Sequence, residues 1–200
     1  FWTFTIIVAL DLCRARCHWS SPSELVVEAF KVYSWNTRFN NIIPSQNIAC
    51  FDTETLDWSS VATTGRLSYI NGHISCLVGN KVYAFGCQFV RGSLTLGACY
   101  LDLDTMAWIL ISADGQGPPP IELCSSTCVA IGDKIYLFGA LGGIHGGTTE
   151  KGNPLHCFDT SDNTWVALNP SGNWPVAREH HTAWAHNDFL YIFGGFTKEK

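Results

Sequence analysis

Apolar residues come in short bursts along this chain, and the bursts come in pairs split by two small or polar residues. Ile74 to Val78 meets Gly79-Asn80 before Val82-Tyr83-Ala84-Phe85, Thr127 to Ile131 meets Gly132-Asp133 before Ile135-Tyr136-Leu137-Phe138, and Thr182 to Ala185 is followed by Asn187-Asp188 and then Leu190-Tyr191-Ile192-Phe193. Runs this short, rich in β-branched and aromatic residues, predict strands, and the two-residue breaks accept the positive φ that tight hairpin turns demand. A third run covers Ile48 to Phe51, Cys99 to Leu103 and Leu155 to Phe158. An Asp at or near its end opens a turn into a fourth run that begins at a Trp. Each unit therefore predicts four antiparallel strands.

The units repeat. Phe51-Asp52, Leu101-Asp102 and Phe158-Asp159 each stand six residues before Trp58, Trp108 and Trp165, counted from the Asp. Tyr33, Tyr83, Tyr136 and Tyr191 mark the second strands, with spacings of 50, 53 and 55 residues. A first strand is expected ten residues before each Tyr, at Ser23, His73, Ser126 and His181, although Ala29-Phe30 in the first unit lacks the turn signal. A period near fifty belongs to radially repeated sheets, because one unit alone cannot bury its apolar faces.

The recurring Tyr-x-Phe-Gly strand, the apolar-Asp pair and the following Trp resemble the Kelch repeat over roughly residues 23 to 200. Only the last unit carries the full Gly194-Gly195 pair; Gly86-Cys87, Gly139-Ala140 and Trp35-Asn36 stand there in the others. The resemblance implies an all-β Kelch-type β-propeller. The chain length accommodates blades at about 23–61, 73–111 and 126–168 and a half blade at 181–200, so an incomplete ring and a longer parent protein are expected. Residues 1–22 stand outside the repeat. Their apolar run, Phe1 to Leu10, is too short to span a bilayer and reads as a strand or a remnant of a preceding blade, the alternative being the tail of a truncated signal peptide, for which a basic leader and a clear cleavage site are missing. The three repeated Trp residues are expected to wedge between neighbouring blades.

A composition of 46% hydrophobic, 13% aromatic and 14% charged residues excludes disorder. The net charge of -5 argues against sequence-independent binding of nucleic acid, which relies on Lys and Arg at phosphates. Nine cysteines, odd in number and spread along the chain, do not form the framework of a small secreted domain. Free thiols in a reducing, intracellular compartment, cytoplasmic or nuclear, are expected, and no membrane association.

Enzyme signatures are sparse. There is no phosphate loop and no nucleophile elbow, and Cys13-x-x-x-Cys17-His18 lacks a fourth ligand, so neither a metal nor another cofactor is assigned. Gly142 to Gly147 has no helix behind it and reads as a flexible loop. Cys124 and Cys128 read as small buried hydrophobes on one strand face. His73 and His181 occupy equivalent repeat positions, which points to a structural role at the strand entrance; His145 and His180 fall in loops.

Charge placement is more informative. In an up-and-down blade the hairpins between strands one and two and between three and four emerge at one end. The remaining connections emerge at the other. Arg38 and Arg91 fall in connections between strands two and three, and Arg66 and Arg178 in connections between blades, so all four share the loop face. The hairpin face collects Asp52, Glu54, Asp57, Asp102, Asp104, Asp133, Asp159, Asp162 and Asp188, and turn chemistry alone accounts for most of these.

The resemblance implies a protein-interaction module that presents loops on a rigid scaffold. Arg38, Arg66, Arg91 and Arg178, with His180, are the expected contacts for a protein or acidic peptide, since a guanidinium fork matches a carboxylate. Within the family the chain looks most similar to substrate receptors of cullin-RING ubiquitin ligases. The alternatives are a Kelch-fold enzyme of the copper-oxidase kind, with catalytic residues elsewhere, and a cytoskeletal scaffold.

Overall fold

Runs that alternate side chains between two faces, punctuated by Gly and Asn at turns, give mainly antiparallel sheet among the described residues. The computed structural model describes residues 5–9, 31–35, 47–52, 54–66, 71–90, 93–112, 117, 126–139, 155–175 and 178–196. Among them every regular element is a strand. The first sheet is β1 (Thr5–Ala9), β2 (Lys31–Trp35), β3 (Asn47–Asp52) and β4 (Trp58–Ala62), in that order. The second contains β5 (Thr64–Gly65), β6 (Asn71–Val78), β7 (Lys81–Val90), β8 (Ser93–Asp102) and β9 (Ala107–Leu110), ordered β5-β9-β8-β7-β6. The third is β10 (Thr127–Ile131), β11 (Lys134–Phe138), β12 (Leu155–Asp159) and β13 (Thr164–Ala167), again in sequence order. A hairpin of β14 (Glu179–His186) and β15 (Phe189–Phe196) follows.

The expected turns are present. Gly79 and Gly132 take φ of 56° and 60°, and Asn187 and Asp188 take 47° and 63°. The first strand of each sheet lies against the first strand of the next, β1 beside β6, β6 beside β10 and β10 beside β14. Sheets joined in this way fan out from a common inner line, which is the arrangement of a β-propeller, here incomplete.

Two features depart from the pattern. The partner of β2 is β1, with Ile7 opposite Tyr33, drawn from the apolar segment outside the repeat; residues 23–30, where the sequence placed that strand, lie outside the described residues. Ala29-Phe30 offers no two-residue turn, so a distant apolar run is free to fill the place. The second is β5, which leaves the first sheet and pairs in parallel with β9, Thr64 opposite Ala107 and Gly65 opposite Trp108.

The apolar residue before each Asp stands directly opposite the Trp, as Phe51 with Trp58, Leu101 with Trp108 and Phe158 with Trp165. One core cluster joins Ile48 and Cys50 of the first sheet to Val82, Ala84, Leu101 and Trp108 of the second. The next joins Tyr83 and Phe85 to Ile135, Leu137, Phe158 and Trp165, with the Trp165 ring 5.1 Å from Phe85, edge-on. Each of these indoles is thus clamped against the preceding blade, with only 4% of Trp108 and 3% of Trp165 exposed. Trp58 holds the same register but is 60% exposed, since no described sheet stands before the first.

Candidate partner-binding face

At the hairpin end the two turns of a blade lie side by side. Leu103 N donates to the Asn80 carbonyl at 3.0 Å, and Thr160 N and Oγ1 donate to the Asp133 carbonyl at 3.0 and 2.7 Å. Four acidic side chains here are occupied by their own turns. Asp52 Oδ1 accepts from the amides of Glu54 and Thr55 at 2.9 and 3.1 Å. Asp102 Oδ1 accepts from the amides of Asp104 and Thr105 and from the Thr105 hydroxyl, and these bonds, Thr105's first, hold its carboxyl below the usual range. Asp159 binds Ser161 through Oδ1 and Lys134 through Oδ2 at 2.8 Å, and the lysine leads in holding this carboxyl well below its ordinary value. Asp162 caps Thr164 in the same way, through its amide and hydroxyl.

Each Asp-led turn also contains one left-handed residue two places before the Trp: Leu56 at φ 61°, Met106 at 51° and Asn163 at 58°. Only Asn tolerates that region readily among the three.

The connection that leaves the first sheet runs beside the start of β9, with Thr64 and Gly65 opposite Ala107 and Trp108. Arg66 is exposed and directly follows Gly65, whose φ is 78°. A Cβ on Gly65 would collide with the backbone of Trp108, and Gly117, also at φ 78°, stands over the backbone of Trp165 in the same way. The connections between blades therefore cross the indole strands at a glycine. Arg178 is half-buried and donates through an NH1 nitrogen to the Gly194 carbonyl at 2.9 Å, bracing the last hairpin. Gly194 and Gly195 take φ of 73° and 86°, so the glycine pair is required by its backbone.

Opposite Gly195 the ladder lapses between the pairs Glu179–Phe196 and His181–Gly194, and His180 there takes φ 57°. A non-glycine held in this region is a strained residue, and His180 is exposed with its ring 6.0 Å from Phe196. Arg38 and Arg91 lie outside the described residues, as do Cys13, Cys17, His18, Cys124, His145 and the glycine run 142–147.

His73 and His181 are both buried at the entrances of inner strands. Thr127 Oγ1 and His181 Nε2 are 2.7 Å apart, the His181 ring meets Phe138 edge-on at 5.4 Å, and a Cβ on Gly139 would strike His181 Cε1. Burial lowers the pKa of His181, with Arg178 adding to the effect and the Phe138 backbone opposing it; burial alone lowers that of His73. Tyr83 is sealed in the core, Tyr136 is half-buried, and Tyr191 is partly exposed and stacked on Trp184 at 5.5 Å. Tyr33 lies in β2 opposite Cys50.

Sequence reasoning missed Gly65 and Gly117. The signal was available as a Gly seven to nine residues after each Trp, a spacing that Gly172 repeats at φ 85°. Among the described residues no helix is long and apolar enough to cross a membrane.

Comparison with known proteins agrees with this architecture. The profile of the KLHDC2/KLHL20/DRC7 Kelch-repeats domain matches residues 25–200. The chain is 30% identical over 176 residues to Kelch domain-containing protein 3 of Bos taurus, covering 82% of this chain and 44% of that protein. It is 34% identical over 157 residues to Kelch domain-containing protein 2 of Bos taurus, covering 76% of this chain and 36% of that protein. Acyl-CoA-binding domain-containing protein 5 of Arabidopsis thaliana is 30% identical over 185 residues, covering 88% of this chain and 28% of that protein. The chain spans less than half the length of these relatives. On the repeat, the sheet order and these similarities together, the chain belongs to the Kelch-repeat family.

Proposed function

We propose that this chain is a protein-interaction module whose loop face receives an acidic peptide or a free C-terminal carboxylate. The contacts are Arg38, Arg66, Arg91, Arg178 and His180. The observation that supports the reading is the open end of the last hairpin, where the exposed His180 takes a left-handed backbone beside Arg178. Asp52, Asp102, Asp159 and Asp162 are held by their own turns, Arg66 is exposed, and His180 is exposed at the open end of the last hairpin. A strained, exposed side chain on a rigid scaffold is a recurrent mark of a recognition surface. Arg178 has a second task, because its bond to Gly194 fixes the hairpin next to His180.

The test uses the full-length protein and a peptide library with free or amidated C-termini. Reversal of Arg66 and Arg91 together to Glu should weaken selected peptides about tenfold or more, and amidation should do the same. Reversal of Glu54 and Asp104 to Lys should change little. Binding that survives the arginine changes and disappears with the acidic ones overturns the assignment. Within a longer protein the same face would deliver its partner to a cullin-RING ubiquitin ligase, as the likeness to substrate receptors suggests. Co-purification of a cullin with the full-length protein checks this finer reading, and its failure leaves the peptide measurement standing on its own.

A further inference from the structure

Two cysteines face one another across a blade boundary. Along β6 the side chains alternate, with Ile74, Cys76 and Val78 turned to the core between the second and third blades and Leu77 turned to the core behind it. Cys76 stands opposite Tyr83 in the register of its hairpin, and Cys128 stands opposite Leu137 in the register of the next, and both partners belong to that same core. Cross-strand partners share a face, so both thiols enter one cluster from inner strands, β6 and β10, that lie side by side. Cys50, Cys99 and Cys157 are buried, whereas Cys76 and Cys128 are half-buried.

We infer that Cys76 and Cys128 form a reversible disulfide that rivets the second blade to the third. The oxidant is a low-molecular-weight disulfide of the glutathione type. One cysteine, as its thiolate, attacks a sulfur of that disulfide, releasing one small thiol and leaving a mixed disulfide on the protein. The second cysteine attacks the protein-bound sulfur and releases the other small thiol. Two protein thiols are oxidised, one small disulfide is reduced to two thiols, and the protons of the protein thiols pass to the departing thiolates. A hydrogen bond with Cys128, then burial, raises the pKa of Cys76 well above the ordinary value, so exchange is slow at neutral pH and quickens as pH rises.

The link would close a loop of about fifty residues, long enough to restrict the unfolded chain considerably. The full-length protein is incubated with oxidised glutathione near pH 8, alkylated, digested without reductant and mapped by mass spectrometry. The expected product is a peptide pair joined through Cys76 and Cys128, with a melting temperature raised by roughly 5 to 10 °C and restored by dithiothreitol. Cys128→Ser should lose both signals. Glutathione adducts without the cross-link, a cross-link between other cysteines, or no reaction would each overturn the inference. Should the Ser variant fold poorly, the mapping and the reductant-reversible shift of the unsubstituted protein decide alone.

Discussion

Thr127 and His181 share a 2.7 Å hydrogen bond across the boundary between the third sheet and the last hairpin. One partner begins β10 and the other sits near the start of β14, so the bond ties together two inner strands far apart in sequence. Thr127→Val keeps the shape and removes the bond, and should cost about 1 kcal/mol in urea unfolding. Thr182→Val on the exposed neighbour should be neutral. Equal effects from the two changes would remove the bond from any account of stability.

Protonation should loosen the same region. The pKa values of His73, His156 and His181 all lie below the ordinary histidine value, chiefly through burial. The unfolded chain then binds protons that the folded chain does not, so this stability is present above about pH 6.5 and is lost as pH falls toward the lowered values. Melting temperature should hold between pH 7 and 8 and drop below about pH 6.5. The drop should shrink in His181→Gln. A flat profile down to about pH 5 contradicts the expectation.

Gly65 and Gly117 offer a test with an internal control. Ala at either position meets both an unfavourable φ and a backbone collision, and should cost about 2 kcal/mol or more. Gly172 has a similar φ of 85° but open space around it, so Gly172→Ala should cost about 1 kcal/mol. Equal losses at all three would show that the crossings over Trp108 and Trp165 are not tight.

Leu56 is a left-handed residue with 69% of its surface exposed, so its backbone cost is not offset by burial. Leu56→Asn should stabilise the protein by about 0.5 to 1 kcal/mol, measured by denaturant midpoint. A loss of stability would mean that the leucine side chain has a packing role in the turn.

Trp108→Ala should cost about 3 to 5 kcal/mol, because the indole fills the space between the first two sheets. Trp58→Ala should cost under about 1 kcal/mol in the 200-residue chain, where that indole is exposed. Coincident melts of Trp108→Ala and the parent would remove the wedge.

Much of this architecture was legible because it is periodic. Gly79, Gly132 and Asn187-Asp188 announced their turns, and the apolar-Asp-Trp spacing announced a register in which Phe158 meets Trp165. What the period could not reach was the first strand of the first sheet, since β1 comes from outside the repeat and its pairing depends on tertiary competition between apolar runs. The left-handed Leu56 and Met106 were illegible for another reason: neither residue prefers that conformation, and the Asp-led turn imposes it. The partner of Arg178 was not readable either. Arg178 looks identical to Arg66 in sequence, yet it is anchored to Gly194.

The short parallel strand β5 changes how this protein meets other chains. A sheet with an open border presents unpaired amides and carbonyls that any passing strand could use to grow an aggregate. Here the chain leaving the first blade occupies that border of the second, pairing at Ala107 and Trp108 and bonding Thr64 N to the Met106 carbonyl at 2.9 Å. The connector thus acts as a seal as well as a tether. Loss of that pairing would expose the Ala107–Trp108 border of the second sheet to strands of other chains.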